Sequence, residues 1–164
     1  MSFSLPQSSS ELSRAVDYAT GAGTICVASA GNDSSPAPVY PAGYSDVISV
    51  ASTDDNDNRS NFSNYGPWIW LAAPGEQIVT TYPWGTYAAA SGTSFSAPFV
   101  LKIECGHGRS RLLSGTVSLL LQTRWNLSQP GAANDVAHAK PVVSDLGHGR
   151  LDIVQTLQAA ILGN

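Results

Sequence analysis

Three stretches leave this chain little choice of architecture: "TICVASA" at 24–30, "VISVAS" at 47–52 and "WIWLAAPG" at 68–75. Each is a nearly continuous run of small, β-branched and aromatic residues without polar alternation. Strands of that kind are covered on both faces, as in a parallel sheet, whereas half-exposed strands alternate. A parallel sheet needs crossovers, and "QSSSELSRAVDYATGAG" supplies a helical one. Ser8 and Glu11 have the spacing of a capping box, Leu12, Ala15, Val16 and Ala19 recur along one helical face, and Gly21 and Gly23 are stop signals. "MSFSL" before it alternates as a short strand does. The fold class expected is α/β: a doubly wound parallel sheet with helices on both faces.

Further along, "IVTTYPWGTYAAA" (78–90) predicts a hairpin with Pro83, Trp84 and Gly85 in its turn. Helical sequence begins at Ser96, and two more helices are expected, one from near Ser128 with Pro130 in its first turn and one over 151–162. One segment breaks the pattern. "SAPFV" and "SGTVSLLLQ" would join into a single small, apolar helix, but residues 101–113 lie between them, carrying Lys102, Arg109 and Arg111 with Gly106 and Gly108. Two glycines inside a helix cost about 2 kcal/mol relative to alanine, and charges are not buried unpaired. Residues 101–113 therefore read as an insertion within one domain spanning 1–164.

Composition excludes several partners. With a net charge of −4 and only eight Lys and Arg, mostly scattered, the chain has no basic stripe for nucleic acid. It has no run of about 18 apolar residues to span a membrane. Cys26 and Cys105 stand in neither a CxxC nor a zinc-type spacing, so free thiols are expected. Asp54, Asp55 and Asp57 resemble half of a calcium loop, but the required glycine and closing glutamate are missing, so a solvated turn is expected and no metal or cofactor. "MSFSLPQSSSE" has neither the charged nor the apolar region of a secretion signal. Localisation stays open: cytoplasmic, or exported by a signal on other sequence.

Chemistry concentrates in "GTSFSAP". A serine in a glycine-preceded turn at the mouth of a helix gains unpaired backbone N–H groups and a field that favours negative charge, which makes Ser94 a candidate nucleophile. "SAGND" places Asn32 just after a buried strand, at the sheet edge where ligands of open α/β sheets bind, as the candidate oxyanion donor.

These two motifs, with "YPAGYSDVISVAS", "SNFSNYG" and "LAAPG" in order between them and "LGHGRLDIVQTLQAA" after them, resemble the C-terminal part of a subtilisin-like serine peptidase domain. The resemblance covers residues 1–100 and 114–164. It implies a peptidase of peptide or protein substrates with Ser94 as nucleophile and Asn32 in the oxyanion hole. It also implies an extended substrate bound along the strand at "SFSLP", with Leu5, Pro6, Ala28, Ser29, Ala30 and Gly31 around the specificity pocket. Members of this family are mostly secreted.

The resemblance also exposes a gap. In subtilisins the triad runs Asp, His, Ser along the chain, yet no histidine precedes Ser94 here. His107, His138 and His148 all follow it, and only His107, in the apparent insert, is a candidate substitute base. In a subtilisin, loss of the histidine costs about 10⁶ in turnover. The isolated chain is thus expected to be nearly inert, and three readings stand: a peptidase completed by other sequence, a noncatalytic peptide- or partner-binding remnant, or a weak esterase. By the same resemblance the first strand belongs inside a sheet, so here it would be an open edge inviting self-association.

Overall fold

The computed structural model describes residues 1–105 and Gly147. The elements are α1 (Ser10–Gly21), β1 (Cys26–Ser29), β2 (Val47–Thr53), β3 (Leu71–Pro74), β4 (Ile78–Tyr82), β5 (Thr86–Ala90) and α2 (Thr93–Cys105). The helices expected near Ser128 and over 151–162, with His107, His138 and His148, lie outside the described residues.

The three apolar runs form one parallel sheet in the order β1-β2-β3, with Val27 opposite Ile48 and Val50 opposite Leu71. Every residue of β2 is buried, as continuous hydrophobicity requires of a central parallel strand. Strand alternation then sorts the side chains between two faces. Val27, Ile48, Val50, Leu71 and Ala73 pack on Ala97 and Val100 of α2. Ala28 and Val47 point the other way, toward Val16 of α1 and Ala42. The helices therefore cover opposite faces, and the α/β expectation holds. Each fully buried valine, leucine or isoleucine here contributes roughly 1.5–3 kcal/mol.

Several local expectations are corrected. "MSFSL" is not a strand: the Met1 terminal nitrogen donates to the Val27 carbonyl and Ser29 N–H donates to the Met1 carbonyl, so one residue alone sits beside β1. Leu5 instead forms a two-bond antiparallel bridge with Tyr40 (2.8 and 2.9 Å), and Pro6, with no N–H, cannot extend a ladder. The helix cap is one residue later than predicted. Ser9 Oγ accepts from Leu12 N–H (3.3 Å), while the Ser8 hydroxyl donates to the Tyr44 hydroxyl. The Ser9 hydroxyl also donates to Glu11 and is the main cause holding that carboxyl below its usual range. On α1 only Val16 is buried, and Ala15 is exposed. Helix α2 starts at Thr93 rather than Ser96 and runs to Cys105, through the first residues of the predicted insert. "LKIEC" holds neither glycine nor proline, so nothing in it stops the helix.

The hairpin forms as expected, with Pro83–Gly85 as its turn and Trp84 in left-handed backbone conformation (φ 62°). In the 54–58 turn, Asp54 Oδ1 accepts from the backbone N–H groups of Asn56 and Asn58 (2.9 and 2.8 Å), so this carboxylate closes its own loop. Among the described residues no helix is long and apolar enough to cross a membrane.

Gly75, directly after β3, ties the sheet to the start of α2: its N–H donates to Thr53 O (3.1 Å) and its carbonyl accepts from Gly92 N–H (2.8 Å). A Cβ there would run into the hydroxyls of Ser96 and Ser52 and lie 2.9 Å from the Gly92 carbonyl oxygen. Overpacking of this kind costs about 1–3 kcal/mol. Gly75→Ala is expected to lower the urea unfolding midpoint correspondingly, and an unchanged midpoint would contradict this packing.

Candidate active site

All three strands of the parallel sheet end at one edge, and there β1 runs on through Ala30 and Gly31 to Asn32. The hairpin returns the chain to the same edge, so the N-terminus of α2 comes to rest beside Asn32. Two residues distant in sequence are joined by a compact set of bonds. Asn32 Oδ1 accepts from both Thr93 N–H (2.9 Å) and Thr93 Oγ1–H (2.9 Å), and Thr93 Oγ1 in turn accepts from Gly31 N–H (3.1 Å).

That set fixes a direction. With the lone pairs of Oδ1 taken by Thr93, the Asn32 amide group is held with its NH₂ turned away from Thr93. A Cβ on Gly92 would lie 3.5 Å from Asn32 Nδ2, so the NH₂ borders the turn that leads into Ser94. Ser94 is half-buried in the first turn of α2. Its N–H belongs to the turn that has no intrahelical carbonyl, where the helix field favours a developing anion. The Asn32 amide and the first turn of α2, with the half-buried Ser94, thus lie next to one another at this sheet edge.

The other predicted site residues are distributed unevenly. Leu5 and Pro6 are exposed, with Leu5 anchored to Tyr40. Ala28 and Ala30 are fully buried, the first facing α1 and the second packed with Ala51, Ile69 and Ala72. Ser29 and Gly31 are also buried. Ser2, not singled out in the sequence, donates from its hydroxyl to the Ser94 carbonyl (3.3 Å), so the opening segment reaches the first turn of α2. Thr93 was missed as well. It stands inside the serine motif, but only its contact with Asn32 reveals that it orients that amide. The described residues contain no histidine.

Residues 1–103 match the sequence model of the subtilase family. Thermitase of Thermoactinomyces vulgaris is 54% identical over 104 residues, covering 62% of this chain and 37% of the relative. Subtilisin BL of Lederbergia lenta is 41% identical over 100 residues, covering 61% and 37% respectively. The chain thus spans little more than a third of these relatives. Among solved structures, the protease domain of PatA aligns with a TM-score of 0.75 at 26% identity over 99% of this chain and 57% of that one. The prenylagaramide maturation protease PagA aligns with a TM-score of 0.70 at 22% identity, over 94% and 57%, a likeness of fold. By the extent of the family match and the identity of its relatives, this chain belongs to the subtilase family.

Proposed function

We propose that this chain carries the nucleophile and oxyanion hole of a serine endopeptidase acting on peptide or protein substrates. The observation that carries this reading is the Asn32 amide, oriented by Thr93 beside the half-exposed Ser94 at a helix N-terminus. Ser94 Oγ attacks the scissile carbonyl carbon while the carbonyl π pair moves to oxygen. The resulting oxyanion is received by Asn32 Nδ2–H and the Ser94 N–H. Collapse expels the amine, which needs a proton, and leaves an acyl-serine for water to hydrolyse.

The proton from Ser94 needs a base, and then a donor to the leaving amine. We place that base on a segment that carries the family's Asp and His and docks against this sheet edge. His107 is the alternative within the chain, lying outside the described residues. The chain by itself is then a weak catalyst, since binding and an oxyanion hole alone leave about 10³–10⁴ over water.

Coexpression with an Asp- and His-bearing N-terminal segment of a subtilase is expected to restore casein cleavage, about 10⁶ above the chain alone and abolished by Ser94→Ala. A fluorophosphonate probe located by peptide mapping should then mark Ser94. Strong labelling of the chain alone would move the base to His107, to be checked with His107→Ala. In the complemented enzyme, Asn32→Leu is expected to lower kcat by about 10²–10³ with little change in KM, a magnitude measured at the corresponding donor in a subtilisin. Thr93→Val, which removes one of the two bonds orienting Asn32, should lower kcat in the same direction by about tenfold. An unchanged kcat in both variants would rule out this oxyanion hole.

A second reading rests on the opening segment, where Phe3 is 49% and Leu5 42% exposed. An extended apolar stretch beside an open edge is a site for pairing with another chain. A concentration-dependent mass in sizing chromatography, reduced by Phe3→Lys, is the expected sign, and a monomer at all concentrations would count against it.

A further inference from the structure

The segment that carries Asn32 leaves β1 and belongs to no regular element, so its backbone bonds must be satisfied from elsewhere. Four of them converge on one residue. Asn64 is fully buried. Its Oδ1 accepts from Asp33 N–H (2.9 Å) and Ser35 N–H (3.0 Å), its Nδ2 donates to the Ala30 carbonyl (2.9 Å), and its own N–H donates to the Gly31 carbonyl (3.1 Å). These four bonds hold the chain before and after Asn32, and none of them uses the Asn32 side chain.

Room for this grip is made by Gly31. Its φ of +98° favours glycine, and a Cβ there would lie 2.6 Å from Asn64 Nδ2. Asn64 is itself tied to the sheet through Ser63, whose hydroxyl donates to the Asn64 carbonyl (3.0 Å) and accepts from Ser52 N–H of β2 (3.0 Å). The Arg59 guanidinium donates to the Ser63 carbonyl (2.8 Å) while lying over the Tyr65 ring. A continuous path therefore runs from β2 through Ser63 and Asn64 to the 30–35 segment, then through Asn32 to Thr93 and the start of α2.

We propose that Asn64 is the positioning residue of the oxyanion hole, fixing the backbone on both sides of Asn32 so that its amide stays locked to Thr93. This rests on reading Asn32 as the oxyanion donor. The side-chain type follows from the bonds: one planar group must accept two N–H donors and donate to a carbonyl, which an amide does without charge. An aspartate in its ionised form keeps both acceptors and loses the donor. Leucine fills a similar volume and offers neither.

Amide hydrogen exchange on the ¹⁵N-labelled full chain tests this without needing turnover. In Asn64→Leu, exchange at Thr93 N–H should rise at least tenfold and the Asn32 side-chain NH₂ resonances should shift. Gly92 N–H, bonded to Gly75 O rather than to this segment, should keep its protection. Unchanged Thr93 exchange in a folded Asn64→Leu would overturn the proposal. Asn64→Asp decides the matter if Asn64→Leu does not fold. Keeping both acceptors next to Asn32, it should hold Thr93 within about threefold of wild type, since charge-assisted acceptance offsets the lost donor. Exchange as fast as in Asn32→Ala would overturn the assignment. In the complemented enzyme Asn64→Asp should lower kcat more than it raises KM. If the complemented wild type shows no peptidase activity but Thr93 responds to Asn64, the peptidase reading fails while the positioning of the Asn32 amide by Asn64 stands.

Discussion

Burial of β2 on both faces is the constraint from which the rest of the described structure follows. Its seven residues are all buried, so each face must be covered, and the two helices must lie on opposite sides. A parallel arrangement also sends every strand end to one edge. That edge is where β1 hands the chain to Asn32 and where Gly75 receives the turn that opens α2. The candidate site sits where the topology leaves backbone groups without a ladder to join.

At that edge the structure relies on polar side chains in place of a continuing sheet. Thr93 and Asn32 join α2 to the end of β1, and Asn64 and Ser63 join the 30–35 segment to β2. The bonds are short and largely buried, so breaking one leaves an unsatisfied partner costing about 1–3 kcal/mol. Fixed donors of this kind are what the proposed oxyanion hole needs: donors set in advance, with no reorganisation as charge appears.

Much of this was legible in the residues. The three apolar runs gave the parallel strands, Pro83-Trp84-Gly85 gave the hairpin turn, and the serine motif with its glycine pointed to the helix mouth. The errors were local and had local causes. Ser8 and Ser9 are both good caps, and Tyr44, reached only after folding, engages Ser8 and leaves Ser9 to cap. "MSFSL" has the alternation of a strand, but Tyr40 captures Leu5 in an antiparallel bridge.

The sequence by itself determined the class of fold, the identity of the nucleophile and oxyanion candidates, and the lack of a histidine ahead of Ser94. These depend on composition, periodicity and order along the chain, all of which are local properties. Only the tertiary structure decided that Thr93 aims the Asn32 amide and that Asn64, among several asparagines in a polar stretch, grips the backbone around it. Those roles are hydrogen bonds between residues about 30 to 60 positions apart. No local pattern encodes such a bond, because it exists only once the sheet has brought its partners to one edge.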